Sequence, residues 1–244
     1  MKIRRIVAIA AALGVALIPA IASASTAPTV YTTNYAGYYA KGSFGKKVDF
    51  YSNATLPTLA SLAKYTSAVT VEIRLYSAQG QLDMKLSAST RTSTAYVTKW
   101  SQSGYGSAVQ AGVNGCNQHP LTVTQGATHS DEAYTQQPGY NNGDTVVDWY
   151  IDGFGVNGCE VDFRSVVNFT KVAFVAGFNR TGFVKPSSPV SLAGFDGVSL
   201  GGYPISHFAA GKFIATSTGT STGAVWAKPS ALNSTGDGFT VALP

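Results

Sequence analysis

A single glutamine stands among small apolar residues in the stretch SAVQAGVNGC, residues 107–116. Val109, Ala111 and Val113 alternate along this stretch, and the period of two predicts a strand with Gln110 on the opposite face. An amide in that position can donate a hydrogen bond to a carbonyl oxygen on which negative charge develops. It can equally be an ordinary polar strand residue, and the spacing alone leaves both interpretations open.

Two further segments place carboxylates on the polar faces of predicted strands. TVVDWYID carries Asp148 and Asp152, and CEVDFRSV carries Glu160 and Asp162. Two carboxylates that flank a cleft are the groups of a retaining or inverting glycosidase. The alternative is a solvated strand face, because the sequence does not show which carboxylates face one another. Asp131 and Glu132, in THSDEAYTQQPGY, are interpreted as part of a polar loop. This loop could bind a cation or have no ligand.

The histidines are His119, His129 and His207, and none lies in a recognisable catalytic motif. The two G-x-S-x-G sequences, at 197–201 and 219–223, are not set between a predicted strand and a predicted helix as a nucleophile elbow requires, so a serine-hydrolase triad is not indicated. No H-x-H or H-E-x-x-H spacing occurs either, which argues against a zinc site. We therefore expect neither a metal nor another cofactor.

Residues 1–24 have the pattern of a secretory signal peptide: an early basic cluster, an apolar run and a small-residue ending Ala22-Ser23-Ala24. Three of the 17 basic residues and none of the 12 acidic residues lie there, so cleavage after Ala24 lowers the formal charge from +5 to +2. A nearly neutral chain without a basic cluster does not favour nucleic acid. We expect an exported, extracellular monomer that no longer contacts a membrane after cleavage.

The two cysteines, Cys116 and Cys159, both follow an Asn-Gly pair. In an exported chain, two cysteines in such contexts favour a disulfide. Metal binding is the weaker alternative, because two thiols without nearby histidines do not close a zinc site.

The remaining pattern is that of an all-β protein. Charged residues make up only 12% of the chain, and short alternating segments are separated by turn residues. In VTVEIRLYS the residues Val71, Ile73 and Leu75 share one face, opposite Glu72 and Arg74. Strands with one apolar and one polar face predict antiparallel sheets that pack together as a β-sandwich. SAQGQ, YNNGD and DGFGVNG are predicted hairpin turns, and ATLPTLASLAKY is predicted to be a short helix or loop.

Several segments, taken in order, resemble the glutamic peptidases (eqolisins), which are secreted acid proteases. TTNYAGYYAKG resembles their N-W-[AGS]-G-Y opening, with Tyr35 at the tryptophan position, and SAVQAGVNG resembles their x-x-Q-[TA]-G strand. AYTQQPGY resembles a degraded A-W-Y-E-W-Y-P segment, with Gln136 near its glutamate. YNNGDTV resembles the P-G-D turn, and PVSLAGFDGVSL and PSALNSTGDGFTV resemble the closing strands. Residues 56–100 match least and could be an insertion.

This resemblance implies an antiparallel, concanavalin-like two-sheet sandwich over 35–244, after a polar lead-in at 25–34. It also implies that Gln110 is the catalytic glutamine, paired with a glutamate on the concave face of one sheet. The strand that should carry this glutamate best matches VAFVAG, which places Ala173 and Gly177 at its acidic positions. Two alternatives could restore a pair: Glu160 facing Gln110, or Asp148 or Asp152 in place of the glutamate.

The resulting expectation is a degenerate peptidase homologue that binds an extended peptide or glycan in a concave groove. The side chains expected to line this groove are Tyr35, Tyr38, Gln136, Asp148 and Tyr150. One alternative is an active acid endopeptidase that uses Gln110 and a relocated carboxylate. The other is a structural or inhibitory secreted protein.

Overall fold

The computed structural model describes most of the chain beyond residue 33. The described residues are 34–44, 48–58, 62–63, 65–66, 68–89, 94–103, 122–136, 144–163, 166–179, 186–216 and 227–244. The predicted signal peptide and residues 25–33 of the lead-in therefore lie outside the described residues, as do Gln110, Cys116 and His119.

The strands, numbered in chain order, form two antiparallel sheets. The first sheet has the order β13 (Ala209–Thr216), β1 (Asn34–Lys41), β10 (Phe169–Asn179), β3 (Ala68–Ser77), β4 (Gln81–Ser89), β5 (Thr94–Ser103) and β6 (Thr122–Thr124). The second has the order β14 (Lys228–Pro229), β15 (Phe239–Leu243), β11 (Val190–Leu200), β2 (Val48–Thr55), β7 (Thr128–Gln136), β8 (Val146–Ile151) and β9 (Phe154–Asp162), with β12 (Tyr203–Pro204) paired to β11. A 3₁₀ helix spans Ile205–His207.

The two sheets pack face to face around a single apolar core. Val71, Ile73 and Leu75 of β3 are fully buried in it, as the alternating pattern predicts, and Phe174 and Trp149 reach it from β10 and β8. Each large apolar side chain removed from water in this way contributes roughly 2 kcal/mol. The predicted antiparallel β-sandwich is confirmed.

Two of the predicted hairpin turns lie within the described residues. In the turn between β3 and β4, the amide of Ser77 donates to the carbonyl of Gly80 at 2.9 Å. Between β8 and β9, Asp152 and Gly153 have φ values of 53° and 73°. Two consecutive left-handed residues match the right-handed twist of the flanking strands, so Asp-Gly is a favoured pair here.

The segment interpreted as a polar loop, residues 128–136, is instead the strand β7. Its inward face carries His129, Asp131 and Thr135, all buried. The alternation was hidden because both faces of β7 are polar, and only the pairing of β7 with β2 and β8 shows which face is inside.

Residues 56–100, which resemble the eqolisin pattern least, contain β3, β4 and most of β5 and form much of the first sheet. Before β3, the amides of Tyr65 and Thr66 both donate to the carbonyl of Leu62. This is one tight turn in the segment predicted to be a short helix or loop.

The backbone of Cys159 lies in β9. Cys116 lies outside the described residues, so the Cys116–Cys159 pairing stays a prediction. Among the described residues, no helix is long and apolar enough to cross a membrane.

Candidate functional site

The first sheet has a chemically distinctive outer face, the face turned away from the core. On β1 this face carries Tyr35, Gly37, Tyr39 and Lys41, while Ala36, Tyr38 and Ala40 point into the core. The pairing of the strands extends these positions into rows across the sheet. One row is Lys41, Lys171, Tyr76 and Gln81, and the next is Gly211, Tyr39, Ala173, Arg74 and Asp83.

A network of four charged side chains lies on this face, on β3 and β4. The Nε of Arg74 donates to Oε2 of Glu72 at 2.7 Å, and Nζ of Lys85 lies 3.7 Å from Oε1 of Glu72. Asp83 lies within 4.0 Å of both cations. Glu72 is 0% exposed and Arg74 and Asp83 are also buried. The two acids and the two bases of this network neutralise one another.

Burial is the main influence on the ionisation of Glu72. It raises the pKa of this carboxyl above that of an ordinary glutamate, although the charges of Arg74 and Lys85 lower it. For Arg74, burial lowers the pKa, but the carboxylates of Glu72 and Asp83 outweigh it and raise the value overall. Glu72 is thus held against Arg74 and is not exposed to water.

Tyr35 is enclosed by this network. The guanidinium carbon of Arg74 lies 3.7 Å from the centre of the Tyr35 ring, a close cation–π contact. On β10, the ring lies over Gly177, where a Cβ atom would collide with it. Burial, then the charge of Glu72, raises the pKa of the Tyr35 phenol. Gly177, at one of the two acidic positions implied by the family resemblance, thus makes room for an aromatic ring.

A second group of side chains on the same face is partly exposed, and we call it the lysine–aromatic patch: Tyr39, Lys41, Tyr76, Lys171 and Phe213. Nζ of Lys171 lies 3.7 Å from the centre of the Tyr76 ring, 5.7 Å from that of Phe213 and 5.9 Å from that of Tyr39. Nζ of Lys41 lies 5.7 Å from the centre of the Tyr39 ring. The patch crosses β13, β1, β10 and β3, a span of about 14 Å at the usual strand spacing.

Small residues form the floor beside the patch. A Cβ atom at Gly211 would lie 2.7 Å from the hydroxyl of Tyr39, so this ring extends across β13. Gly37 lies against the backbone carbonyl of Phe174, and a Cβ atom there would collide with it. Ala173 and Val175 are buried, yet they are not part of the apolar core between the sheets. The large side chains of the outer face therefore lie over small ones.

The outer face of the second sheet carries the acidic side chains Asp49, Glu132 and Asp148. Asp49 and Glu132 lie on the neighbouring strands β2 and β7, and each affects the pKa of the other. Burial raises the pKa of Asp49; burial together with the charge of Asp49 raises that of Glu132. Asp148 is paired in register with Tyr134 and Glu160. Among the described residues, no cluster of three or more acidic, histidine or cysteine side chains could hold a metal ion.

Between the sheets, Asp131 is a carboxyl group inside the core. Nε1 of Trp149 donates to its Oδ1 at 2.6 Å, and its Oδ2 is buried without a hydrogen-bond partner. Burial raises its pKa to about 7, against the lowering effect of the Trp149 hydrogen bond. A protonated acid in this position contributes to pH-dependent stability and has no access to a ligand on either outer face.

His129 has a structural role. Its Nδ1 lies 2.7 Å from Oδ2 of Asp152, and its Nε2 lies 2.9 Å from the carbonyl oxygen of Thr124. The other oxygen of Asp152 accepts a hydrogen bond from the amide of Ser130. These contacts tie the β8–β9 turn to β7 and occupy both ring nitrogens. The remaining described histidine, His207, is exposed beside Tyr203.

A cavity of about 330 Å³ opens beside β11 and β15, at one side of the second sheet. Phe195, Asp196, Asn233 and Thr240 are among the side chains that line it. Its hydrogen bonds join its own lining: Asn233 donates to Asp237 at 2.9 Å and accepts from the amides of residues 237 and 238. This network explains the loop at 230–238 as a structural turn.

The side chains expected to line one groove are divided by the fold. Tyr35 lies on the outer face of the first sheet, whereas Asp148 and Tyr150 lie on β8 of the second. Tyr38 points into the core, where its hydroxyl donates to the carbonyl of Ser230 at 2.9 Å. For Gln136 and Glu160 the structure describes only the backbone, in β7 and β9 of the second sheet. Gln110 lies outside the described residues, so its pairing with Glu160 stays a prediction.

Sequence reasoning placed Glu72, Arg74 and Tyr76 on one polar strand face but did not single them out as a site. The sequence contains one signal that could have found them. VTVEIRLYS and LDMKL are joined by a short hairpin turn, so the charged residues of the two strands should lie opposite one another. In that pairing Glu72 lies opposite Lys85, and Arg74 lies opposite Asp83. Lys171 had no such signal, because it lies on β10 and meets the other members of the patch only through the pairing of β10 with β1 and β3.

No protein-family model matches the sequence, and a search of curated proteins found no match. Among solved structures, the chain is similar to scytalido-glutamic peptidase with a transition-state analogue inhibitor, at a TM-score of 0.44 and 10% identity over 88% of this chain and 100% of that chain. A β-glucanase of Bacillus licheniformis matches at a TM-score of 0.29 and 12% identity, over 58% of this chain and 56% of that one. An alginate lyase from a Chlorella virus matches at 0.28 and 10%, over 61% and 84%. Similarity at this level assigns neither a family nor an activity.

Proposed function

We propose that this chain binds an extended glycan across the outer face of the first sheet, at the lysine–aromatic patch. The observation that carries this proposal is the clustering of Tyr39, Tyr76 and Phe213, all partly exposed, on one sheet face. Partly exposed aromatic rings offer a large apolar surface, and tyrosine adds a polar hydroxyl at the end of the ring. Such rings suit ligands that are part apolar and part hydroxylated, as sugars are.

The position of the patch favours a glycan over a peptide. A peptide that adds to a sheet pairs its backbone with the open edge of a strand. The patch lies mostly over β1, β10 and β3, which have hydrogen-bonded neighbours on both sides. Their backbone groups are already paired, so recognition at this face depends on side chains. Ring faces and lysine ammonium groups recognise a ligand without a strand edge.

The described geometry supports binding rather than peptide hydrolysis. Glu72 is the glutamate on this face, but it is buried and held by Arg74 and Lys85. A carboxylate in that arrangement has no room to activate a water molecule, as a general base must. The earlier alternative, an acid endopeptidase using Gln110, keeps its own test: cleavage of denatured casein between about pH 2 and pH 7. Cleavage that Gln110→Ala abolishes would overturn a purely binding function.

The proposal is tested by glycan-array screening of the protein without residues 1–24, followed by calorimetric titration of the best oligosaccharide. Tyr39→Ala and Tyr76→Ala should each weaken binding by about tenfold, in line with the loss of one aromatic contact. Tyr203→Ala is the matched control, because Tyr203 is 61% exposed and lies on β12 beside the second sheet. Equal losses in the control and in the patch variants would show that the ligand binds elsewhere.

If no glycan on the array binds, the proposal is contradicted, and a structural or inhibitory protein is favoured. We also propose, from the sequence alone, that the protein is exported and acts outside the cell as a monomer. Size-exclusion chromatography with light scattering and mass determination of the secreted N-terminus check these two points.

A further inference from the structure

We infer that the glycan bound at the lysine–aromatic patch is acidic, with a negatively charged group that binds between Lys171 and Lys41. This inference rests on the proposed function and specifies the class of its ligand. It comes from the charges of the outer face of the first sheet, taken together with the pairing of β1 and β10.

The charges of this face do not balance among the described side chains. Glu72 and Asp83 lie within ion-pair distance of Arg74 and Lys85, so these four groups neutralise one another. The other two cations among the described side chains of this face, Lys41 and Lys171, form no ion pair within the described residues. Their close neighbours are aromatic rings. The patch therefore carries two uncompensated positive charges.

The two lysines are also direct neighbours across strands. Lys41 of β1 is paired in register with Lys171 of β10, and both side chains point to the outer face. Like charges directly opposite one another destabilise a sheet. The repulsion is felt most by Lys171, which is partly buried: burial, then the charges of Lys41 and Arg74, lowers its pKa. An anion placed between the two ammonium groups would remove this repulsion.

The aromatic rings around the lysines specify the rest of the ligand. The rings of Tyr76, Phe213 and Tyr39 have their centres 3.7 to 5.9 Å from Nζ of Lys171. An anionic group that reaches Lys171 brings the body of its ligand against these ring faces. A sugar ring bearing a carboxylate or a sulfate has both parts: a charged substituent for the lysines and C–H faces for the aromatic rings. The ligand is therefore an anionic sugar, and its negative charge comes from either a carboxylate or a sulfate group.

The experiment titrates the protein without residues 1–24 with a galacturonate hexamer and with its fully methyl-esterified form, which has the same backbone and no charge. Sulfated and unsulfated dextran oligosaccharides form the second pair, and a hexaglutamate peptide is the comparison with an acidic polypeptide. The acidic glycan of at least one pair should bind about tenfold more tightly than its neutral partner, and raising the salt from about 50 to 300 mM should weaken it. The pair that responds identifies carboxylate or sulfate as the anion.

Three variants locate the anion. Lys171→Gln should weaken binding of the acidic glycan by about tenfold and remove most of its advantage over the neutral form, while Lys171→Arg should keep the advantage because it keeps the charge. Lys228→Gln is the matched control, because Lys228 is exposed on β14 of the second sheet. Thermal midpoints of all three variants show whether each remains folded.

Each contrary outcome has a distinct meaning. Neutral and acidic glycans that bind equally, with losses in Tyr39→Ala but none in Lys171→Gln, would refute the acidic ligand and leave glycan binding standing. Absence of binding to every glycan would refute the proposed function itself. Hexaglutamate that binds more tightly than either acidic glycan, with the same loss in Lys171→Gln, would show that the occupant is an acidic peptide and overturn the inference.

Discussion

Arg74 and Glu72 lie two residues apart on β3 and form an ion pair at 2.7 Å on the outer face of the first sheet. Their partners come from the next strand, where Lys85 and Asp83 alternate in the same way. The pair is buried, on a face that also carries the exposed Lys41 and the partly buried Lys171. Because the network is buried, its removal should lower the stability of the fold before it weakens binding.

Removal of one partner of this network should be costly. Glu72→Gln leaves Arg74 buried without its closest negative charge, and we expect a loss of about 3 kcal/mol in the free energy of unfolding. Urea denaturation of both proteins measures it. The double variant Glu72→Met with Arg74→Met removes both charges and should recover most of the loss. If the Glu72→Gln protein is as stable as the wild type, the Glu72–Arg74 pair is not shielded from water.

The buried carboxyl of Asp131 should make the protein more stable in acid than at neutral pH. Its pKa in the folded state, about 7, lies above its ordinary value of 3.8. The folded state therefore binds the proton more tightly, and stability falls as the pH rises from about 4 to 7, by an amount on the order of 4 kcal/mol.

Asp131→Asn tests this pH dependence, because the amide oxygen can still accept from Trp149 and carries no charge. Unfolding free energies at about pH 4 and pH 8 should differ less in the variant than in the wild type, and the variant should be the more stable protein at pH 8. If the unfolding free energies of the two proteins depend equally on pH, other groups cause the dependence. The first candidates are Asp49, Glu72 and Glu132, because their pKa values are raised as well.

Gly37 should tolerate no side chain. A Cβ atom there would collide with the backbone carbonyl of Phe174 in β10, which cannot rotate away. Gly37→Ala should therefore destabilise the fold by about 3 kcal/mol. Gly194→Ala is the matched control in a strand of the second sheet, because the nearest atom to its Cβ would be that of Thr55 at an ordinary 3.6 Å. Thermal and urea unfolding measure the stability of both variants. Similar small losses of stability in the two would contradict the close approach of β1 and β10.

The predicted Cys116–Cys159 disulfide closes a loop of about 43 residues. Titration of the unfolded, unreduced protein with a thiol reagent should detect no free thiol. Reduction should lower the free energy of unfolding by about 4 kcal/mol, the chain-entropy value for a loop of this length. Two free thiols per chain would refute the pairing.

Much of the architecture could be predicted from alternation alone. Segments such as VTVEIRLYS have one wholly apolar face, and a strand of that kind must bury it against another sheet. The strand β7 escaped prediction because His129, Asp131 and Thr135 make its buried face polar. Their burial is possible through specific partners, such as Trp149 for Asp131 and Asp152 for His129, and a linear sequence does not reveal such partners.

The sequence by itself determined that polar and charged side chains share one face of strands such as β3 and β8. Only the tertiary structure decided which of these faces meet. Tyr35 and Asp148 both belong to polar strand faces, yet they lie on opposite sides of the sandwich because β1 and β8 belong to different sheets. Lys41 and Lys171 are 130 positions apart and become neighbours through the register of β1 with β10. Strand order and register depend on long-range pairing, and a local pattern of period two carries no information about either.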